Sequence, residues 1–173
     1  MSNNQTANGL PTYLFATVEK QEINQVMKKL RNIDYIQWSG STSGRYDFVA
    51  AFKGSDMQKS YSAVKEIRAI DGIVSTTCLV PFEGYTNSQK NGGHAMGQIF
   101  LRVDKPAEDV IQSLKKISGV TETLAVAGKW DILATVRGHS YEEILEKIVE
   151  EVSQVDGIRT SETTFVYKPT VAA

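Results

Sequence analysis

The sequence predicts an α+β fold of two βαββαβ domains packed as a pseudo-dimer through their sheets. Three observations carry this. Gly44-Arg45-Tyr46-Asp47-Phe48-Val49 returns 84 positions later as Gly128-Lys129-Trp130-Asp131-Ile132-Leu133. The halves show the same order of strand and helix periodicities, the mark of one duplicated supersecondary unit. Finally, their strands are apolar on both faces, so a helix layer on one face leaves the other wanting cover.

The repeat extends well beyond its central motif. Leu14-Phe15-Ala16-Thr17-Val18-Glu19-Lys20 aligns with Ile99-Phe100-Leu101-Arg102-Val103-Asp104-Lys105, and Asp71-Gly72-Ile73 with Asp156-Gly157-Ile158, both at an offset of 85. The predicted domains are therefore 12–83 and 97–168, with an extended or disordered tail at 1–11, a linker at 84–96 and a tail at 169–173. A core of that size is marginal alone and gains from pairing.

In the first half, residues 12–18 read as strand. Glu22 to Arg31 reads as helix, with Ile23, Val26, Met27 and Leu30 on one face. Strands at 36–41 and 46–53 join around Ser43-Gly44 as a hairpin. Met57, Tyr61, Val64 and Ile67 mark the next helix; Asp71-Gly72 stops it, and 73–82 runs as one strand.

The second half places strands near 97–103, 120–127, 130–136 and 158–167. Its helices are marked by Val110, Ile111 and Leu114, and by Ile144, Leu145, Ile148, Val149 and Val152. Pro106 suits a helix start, where its missing donor costs little. The order βαββαβ, met twice, is the ferredoxin-like plan: an antiparallel sheet with two helices on one face. Between the halves, the polar, glycine-bearing run Gly84 to His94 reads as a flexible link.

Composition narrows the function classes. With 19 basic and 20 acidic residues the chain lacks the bias of a nucleic-acid-coating protein. Residues 12–83 carry 9 basic and 8 acidic side chains and 97–168 carry 9 and 12, the excess lying in Glu142, Glu143, Glu146, Glu150 and Glu151. That set reads as a solvated helix face. The single cysteine, Cys78, excludes an internal disulfide, the polar start is no signal peptide, and no apolar run approaches a membrane span. The expectation is a cytoplasmic protein.

Each half resembles the effector-binding, oligomerising domain of the Lrp/AsnC (feast/famine) transcription regulators. The resemblance rests on a glycine two residues before an aromatic-Asp pair, Gly44-Arg45-Tyr46-Asp47 and Gly128-Lys129-Trp130-Asp131. It rests also on the closing segments Gly72-Ile73-Val74-Ser75-Thr76-Thr77-Cys78 and Gly157-Ile158-Arg159-Thr160-Ser161-Glu162-Thr163. Two departures stand out. Only eleven residues precede the first strand, too few for the family's helix-turn-helix, and Cys78 replaces the second threonine of the closing pattern in one half and Ser161 the first in the other.

The resemblance implies a small-molecule pocket, for an amino acid in the family's usual case. It would form around Gly44, Arg45, Tyr46, Asp47 and Thr76, and around Gly128, Lys129, Trp130, Asp131, Ser161 and Thr163. Asp47 or Asp131 would accept a ligand ammonium, while turn amides and hydroxyls would meet its carboxylate. Two other readings stay open. In one, the Asp accepts backbone amides instead, with Gly44 and Gly128 needed only for positive φ. Tyr46 and Trp130 serve equally well as interface anchors.

Nothing in the sequence marks catalysis. His94 falls in the expected linker and His139 precedes a helix, neither spaced with Cys78 as a metal site. Cys78 has no adjacent base, and Gly92-Gly93 lacks the Lys-Ser/Thr of a phosphate loop. We therefore expect no catalytic residues, no metal and no cofactor. The expected protein is a non-enzymatic homo-oligomeric regulatory module that binds an amino acid or related metabolite. It would bind no specific nucleic acid and no membrane by itself, acting by co-assembly with DNA-binding Lrp/AsnC-type regulators. A ligand-free interaction scaffold and a small dimeric-barrel-type enzyme are the alternatives.

Overall fold

The computed structural model describes residues 5–6, 9–53, 56–87 and 93–171. The chain forms two compact units: Pro11–Val80 with the segment from Val166 onward, and Pro81–Phe165 with the segment up to Leu10.

The first unit contains β2 after a short strand β1 (Gln5–Thr6) that belongs to the second unit. Strand β2 (Tyr13–Val18) leads through a 3-10 turn into α1 (Ile23–Leu30), then β3 (Ile36–Thr42), β4 (Phe48–Phe52), α2 (Met57–Arg68) and β5 (Ile73–Leu79). Antiparallel pairing of β3 with β4, β4 with β2, and β2 with β5 gives the expected βαββαβ sheet. Leu14, Ala16, Phe48, Ala50 and Phe52 meet Val26 and Leu30 of α1 and Ala63, Val64 and Ile67 of α2 in one core. Tyr13, Phe15, Val49 and Ala51, which alternate with them, are no more than 2% exposed. Both faces of this sheet are thus buried, which is why the strands show no apolar-polar alternation.

The second unit holds β6 (Pro81–Thr86), β7 (Ala95–Val103), α3 (Ala107–Leu114), β8 (Val120–Val126), β9 (Ile132–Gly138), α4 (Tyr141–Glu150) and, through Phe165, β10 (Ile158–Val171). Its central pairs are β6 with β8, β8 with β9, and β9 with β7, all antiparallel. Ile99, Leu101, Ile132, Ala134 and Val136 pack on Val110, Ile111, Leu114, Ile144 and Ile148. On the alternate positions Gln98, Phe100, Leu124 and Leu133 are buried as well. Ser140 caps helix α4: the Glu143 amide donates to Ser140 Oγ at 3.1 Å, and the Glu143 carboxylate accepts from the His139 amide just before the cap.

Three local expectations need correction. The single strand expected at 73–82 is two strands, broken at Val80: β5 pairs with β2 in the first unit, whereas β6 pairs with β8 and β1 in the second. The second repeat reciprocates, because β10 belongs to the second unit through Phe165 and pairs with β3 in the first from Val166 onward. The two crossing points, 80/81 and 165/166, are 85 positions apart, the offset of the repeat itself.

Second, Gly84, Tyr85 and Thr86, expected to open the linker, lie in β6. A Cβ at Gly84 would come within 2.5 Å of the Thr123 carbonyl oxygen, so this glycine permits close strand approach. Residues 88–92 of the expected linker, Gly92 among them, lie outside the described residues.

Third, Met57 and Tyr61 on α2 and Leu145 and Val149 on α4, expected to mark core faces, are 50–62% exposed. Ser60 and Ala63 share the buried face of α2 with Val64 and Ile67 instead.

Candidate functional site

Both Gly-x-aromatic-Asp segments form the turn that enters the third strand of their repeat. Gly44 has φ +85° and Gly128 φ +113°, and a Cβ at either would meet nothing within 4 Å. These glycines therefore serve backbone conformation alone. Behind each turn the aromatic ring rests on a sheet residue, Tyr46 on Phe15 at 5.3 Å and Trp130 on Phe100 at 5.7 Å between centroids.

The aspartates repeat one geometry. The Asp47 amide donates to the Ala16 carbonyl at 2.8 Å, and Asp47 Oδ2 accepts from the Val18 amide at 2.7 Å. In the second repeat the Asp131 amide donates to Leu101 at 2.9 Å, and Asp131 Oδ2 accepts from Val103 at 2.9 Å. Each aspartate so continues the sheet pairing one residue past the strand, satisfying an amide at the end of β2 or β7. The open reading of a backbone-bound aspartate is the one the structure takes for Oδ2.

Around the second turn lies a cavity of about 500 Å³ lined by Arg102, Val103, Gly128, Lys129, Asp131, Arg159 and Thr160. Of the residues singled out from sequence, it brings together Gly128, Lys129 and Asp131. Trp130, 7% exposed, forms no part of the lining but sits under its cations: the Arg102 guanidinium carbon is 5.9 Å and Lys129 Nζ 5.8 Å from its ring centroid. Ser161 and Thr163 follow on β10 outside the lining.

In the first repeat, Thr76 on β5 accepts a hydrogen bond from Arg68 Nε of α2 at 2.8 Å, and Asp47 is engaged with Val18. Gly44 and Arg45 are exposed at their turn and Tyr46 is half-buried. Sequence reasoning missed Arg102, Val103, Arg159 and Thr160. No local pattern marked them; in the first repeat the equivalent positions of Arg102 and Thr160, Thr17 and Ser75, likewise meet, their hydroxyls 2.6 Å apart.

Other chemistry is sparse. Among the described residues no group of three or more His, Cys, Asp or Glu side chains is placed to hold a metal ion. Cys78 faces the first core, and burial pushes its thiol up from the ordinary value, with Arg68 pulling the other way. A thiolate is disfavoured there. We expect iodoacetamide at pH 8 to label Cys78 several-fold more slowly, in order of magnitude, than the urea-unfolded chain; equal rates in a mass-spectrometric time course would contradict its placement. No helix among the described residues is long and apolar enough to cross a membrane.

The family model for the Lrp/AsnC ligand binding domain matches residues 13–90 and 95–172. The chain belongs to this family. It carries the domain twice.

An uncharacterized HTH-type transcriptional regulator of Pyrococcus furiosus is 37% identical over 51 residues, 30% of this chain and 34% of that protein. The chain thus spans about a third of the length of that curated relative. Among solved structures, siroheme decarboxylase NirDL in co-complex with an iron-uroporphyrin III analogue aligns with a TM-score of 0.69 at 9% identity, over 97% of this chain and 78% of that one. A chlorite dismutase mutant from Candidatus Nitrospira defluvii aligns at 0.60 and 9%, over 94% and 92%. At such identities these likenesses show the fold alone. The Lrp/AsnC match describes a ligand-binding domain.

Proposed function

We propose that this tandem Lrp/AsnC domain is a homo-oligomeric regulatory module that responds to an amino acid or related small metabolite at its Gly-x-aromatic-Asp turn. It passes that response on by co-assembling with DNA-binding regulators of the same family. The observation that carries this reading is the open cavity at the second turn, where backbone, a carboxylate and cationic side chains converge on one volume of small-molecule size. Asp131 Oδ2 is engaged with Val103, so a ligand ammonium would meet the other carboxylate oxygen. The turn and Thr160 would meet its carboxylate. Near-neutral net charge, 19 basic against 20 acidic residues, supports regulation through a partner over direct specific binding of DNA.

A thermal-shift and calorimetric screen of amino acids and central metabolites tests this, with size-exclusion light scattering on each responding compound. The expected result is a saturable shift with at least one compound and a mass above one chain. A strict monomer at micromolar concentration would count against the oligomeric part. Silence across the screen would leave the chain as a ligand-free interaction scaffold.

A further inference from the structure

We infer that the two repeats have diverged, and that the second-repeat turn alone is a receptor for a small, multiply charged anion, a compact group bearing phosphate or several carboxylates. The inference rests on the ligand-sensing reading above and names its ligand class.

Three cations from three separate elements line the cavity: Arg102 at the end of β7, Lys129 in the turn and Arg159 at the start of β10. One carboxylate, Asp131, faces them, and its Oδ2 already accepts from the Val103 amide. The lining therefore carries three positive charges against one negative.

Two of the three are held by contacts of their own. Arg102 Nε donates to the Lys129 carbonyl at 2.9 Å, which fixes the guanidinium and turns its terminal nitrogens to other acceptors. Arg102 and Lys129 both approach Trp130, whose ring is held in turn by Phe100. Both cations also line the one cavity, so an anion bound there accepts charge-assisted hydrogen bonds from each. A single carboxylate on a zwitterionic ligand would leave part of this charge unmet, whereas a dianion or trianion would match it.

The first repeat supplies the contrast. The positions equivalent to Arg102, Lys129 and Arg159 are Thr17, Arg45 and Val74. Val74 is 62% exposed, and Thr17 bonds Ser75, the counterpart of Thr160. Two of the three charges are absent, so the duplicated fold keeps its turn in both repeats and its anion receptor in one.

The test is calorimetry on the full chain in low-salt chloride buffer with inorganic phosphate, citrate and glycine as separate probes. We expect phosphate or citrate to bind, with affinity falling as sodium chloride is raised. Arg102→Gln and Arg159→Gln should each weaken it about tenfold or more, the loss of one charge-assisted contact. Arg45→Gln, in the first repeat, should leave it unchanged. Binding of citrate alone identifies carboxylates and of phosphate alone a phosphoryl group; either supports the inference. Unaltered thermal midpoints will show that the variants at these exposed positions remain folded. No binding of either anion, or binding indifferent to both arginine variants, overturns it. If glycine or another zwitterion shifts the protein while the anions do not, ligand sensing stands and the anion assignment fails. If nothing binds, both fail.

Discussion

Gly72→Ala is expected to lower the unfolding free energy by about 3 kcal/mol, the largest effect of any conservative single substitution in the repeat motifs. Gly72 has φ +101°, and an added Cβ would lie 2.6 Å from Glu22 Cβ, an atom too near its own backbone to swing away. Strain at positive φ contributes roughly 1–2 kcal/mol and the overlap a further 1–3 kcal/mol. The same residue gives its carbonyl to the Glu19 amide at 2.8 Å, tying the end of β2 to the start of β5, so the strain falls on a junction of the first sheet. Its counterpart Gly157, at φ +98°, accepts from Asp104 in the same way, but a Cβ there would meet Lys105 Cβ at a milder 3.1 Å. Gly157→Ala should cost about half as much, mostly through φ. Urea denaturation of both variants checks the pair. Equal small losses below about 1 kcal/mol would show that the turns relax without consequence.

Asp131→Ala and Asp131→Asn should separate two roles that one carboxylate plays. Alanine removes the acceptor of the Val103 amide and leaves a partly buried donor without its partner, a loss of about 2 kcal/mol. Asparagine keeps an oxygen able to take that bond, so its stability should stay within about 1 kcal/mol of the parent. Ligand response depends instead on charge. If an ammonium-bearing ligand uses the remaining oxygen, Asp131→Asn weakens it about thirtyfold, the equivalent of roughly 2 kcal/mol. An anionic ligand would gain affinity in the same variant, because a negative charge leaves its site. Chemical denaturation and calorimetry on the two variants read both effects. A fully stable Asp131→Ala would remove the structural role seen in the geometry. The corresponding variants at Asp47 should repeat the stability result, since it accepts from the Val18 amide in the same way, at 2.7 Å.

The difference between the two aspartate roles shows where sequence reasoning stopped. Gly44 and Gly128 announced a turn, because no other residue adopts positive φ so readily, and the Asp after each announced a hydrogen-bonding group. Which partner it takes depends on the end of a strand some 28 residues earlier, Val103 for Asp131, and no local pattern encodes that distance. Thr76 illustrates the same limit. Its place in the closing motif gave no sign that its hydroxyl oxygen accepts a hydrogen bond from Arg68 Nε on α2.

The sequence by itself determined the duplication, the βαββαβ order, the burial of both sheet faces and the position of the turns. All of these rest on local periodicity or on single-residue backbone preference, which neighbouring residues reveal. Only the tertiary structure decided that each repeat gives its closing segment to the other unit's sheet, at 80/81 and at 165/166. An extended segment exposes the same donors and acceptors to any partner, so pairing choice depends on global packing. It likewise decided that Arg102, Lys129 and Arg159 share one cavity, since residues 27 and 57 positions from Arg102 meet there only after the strands have paired.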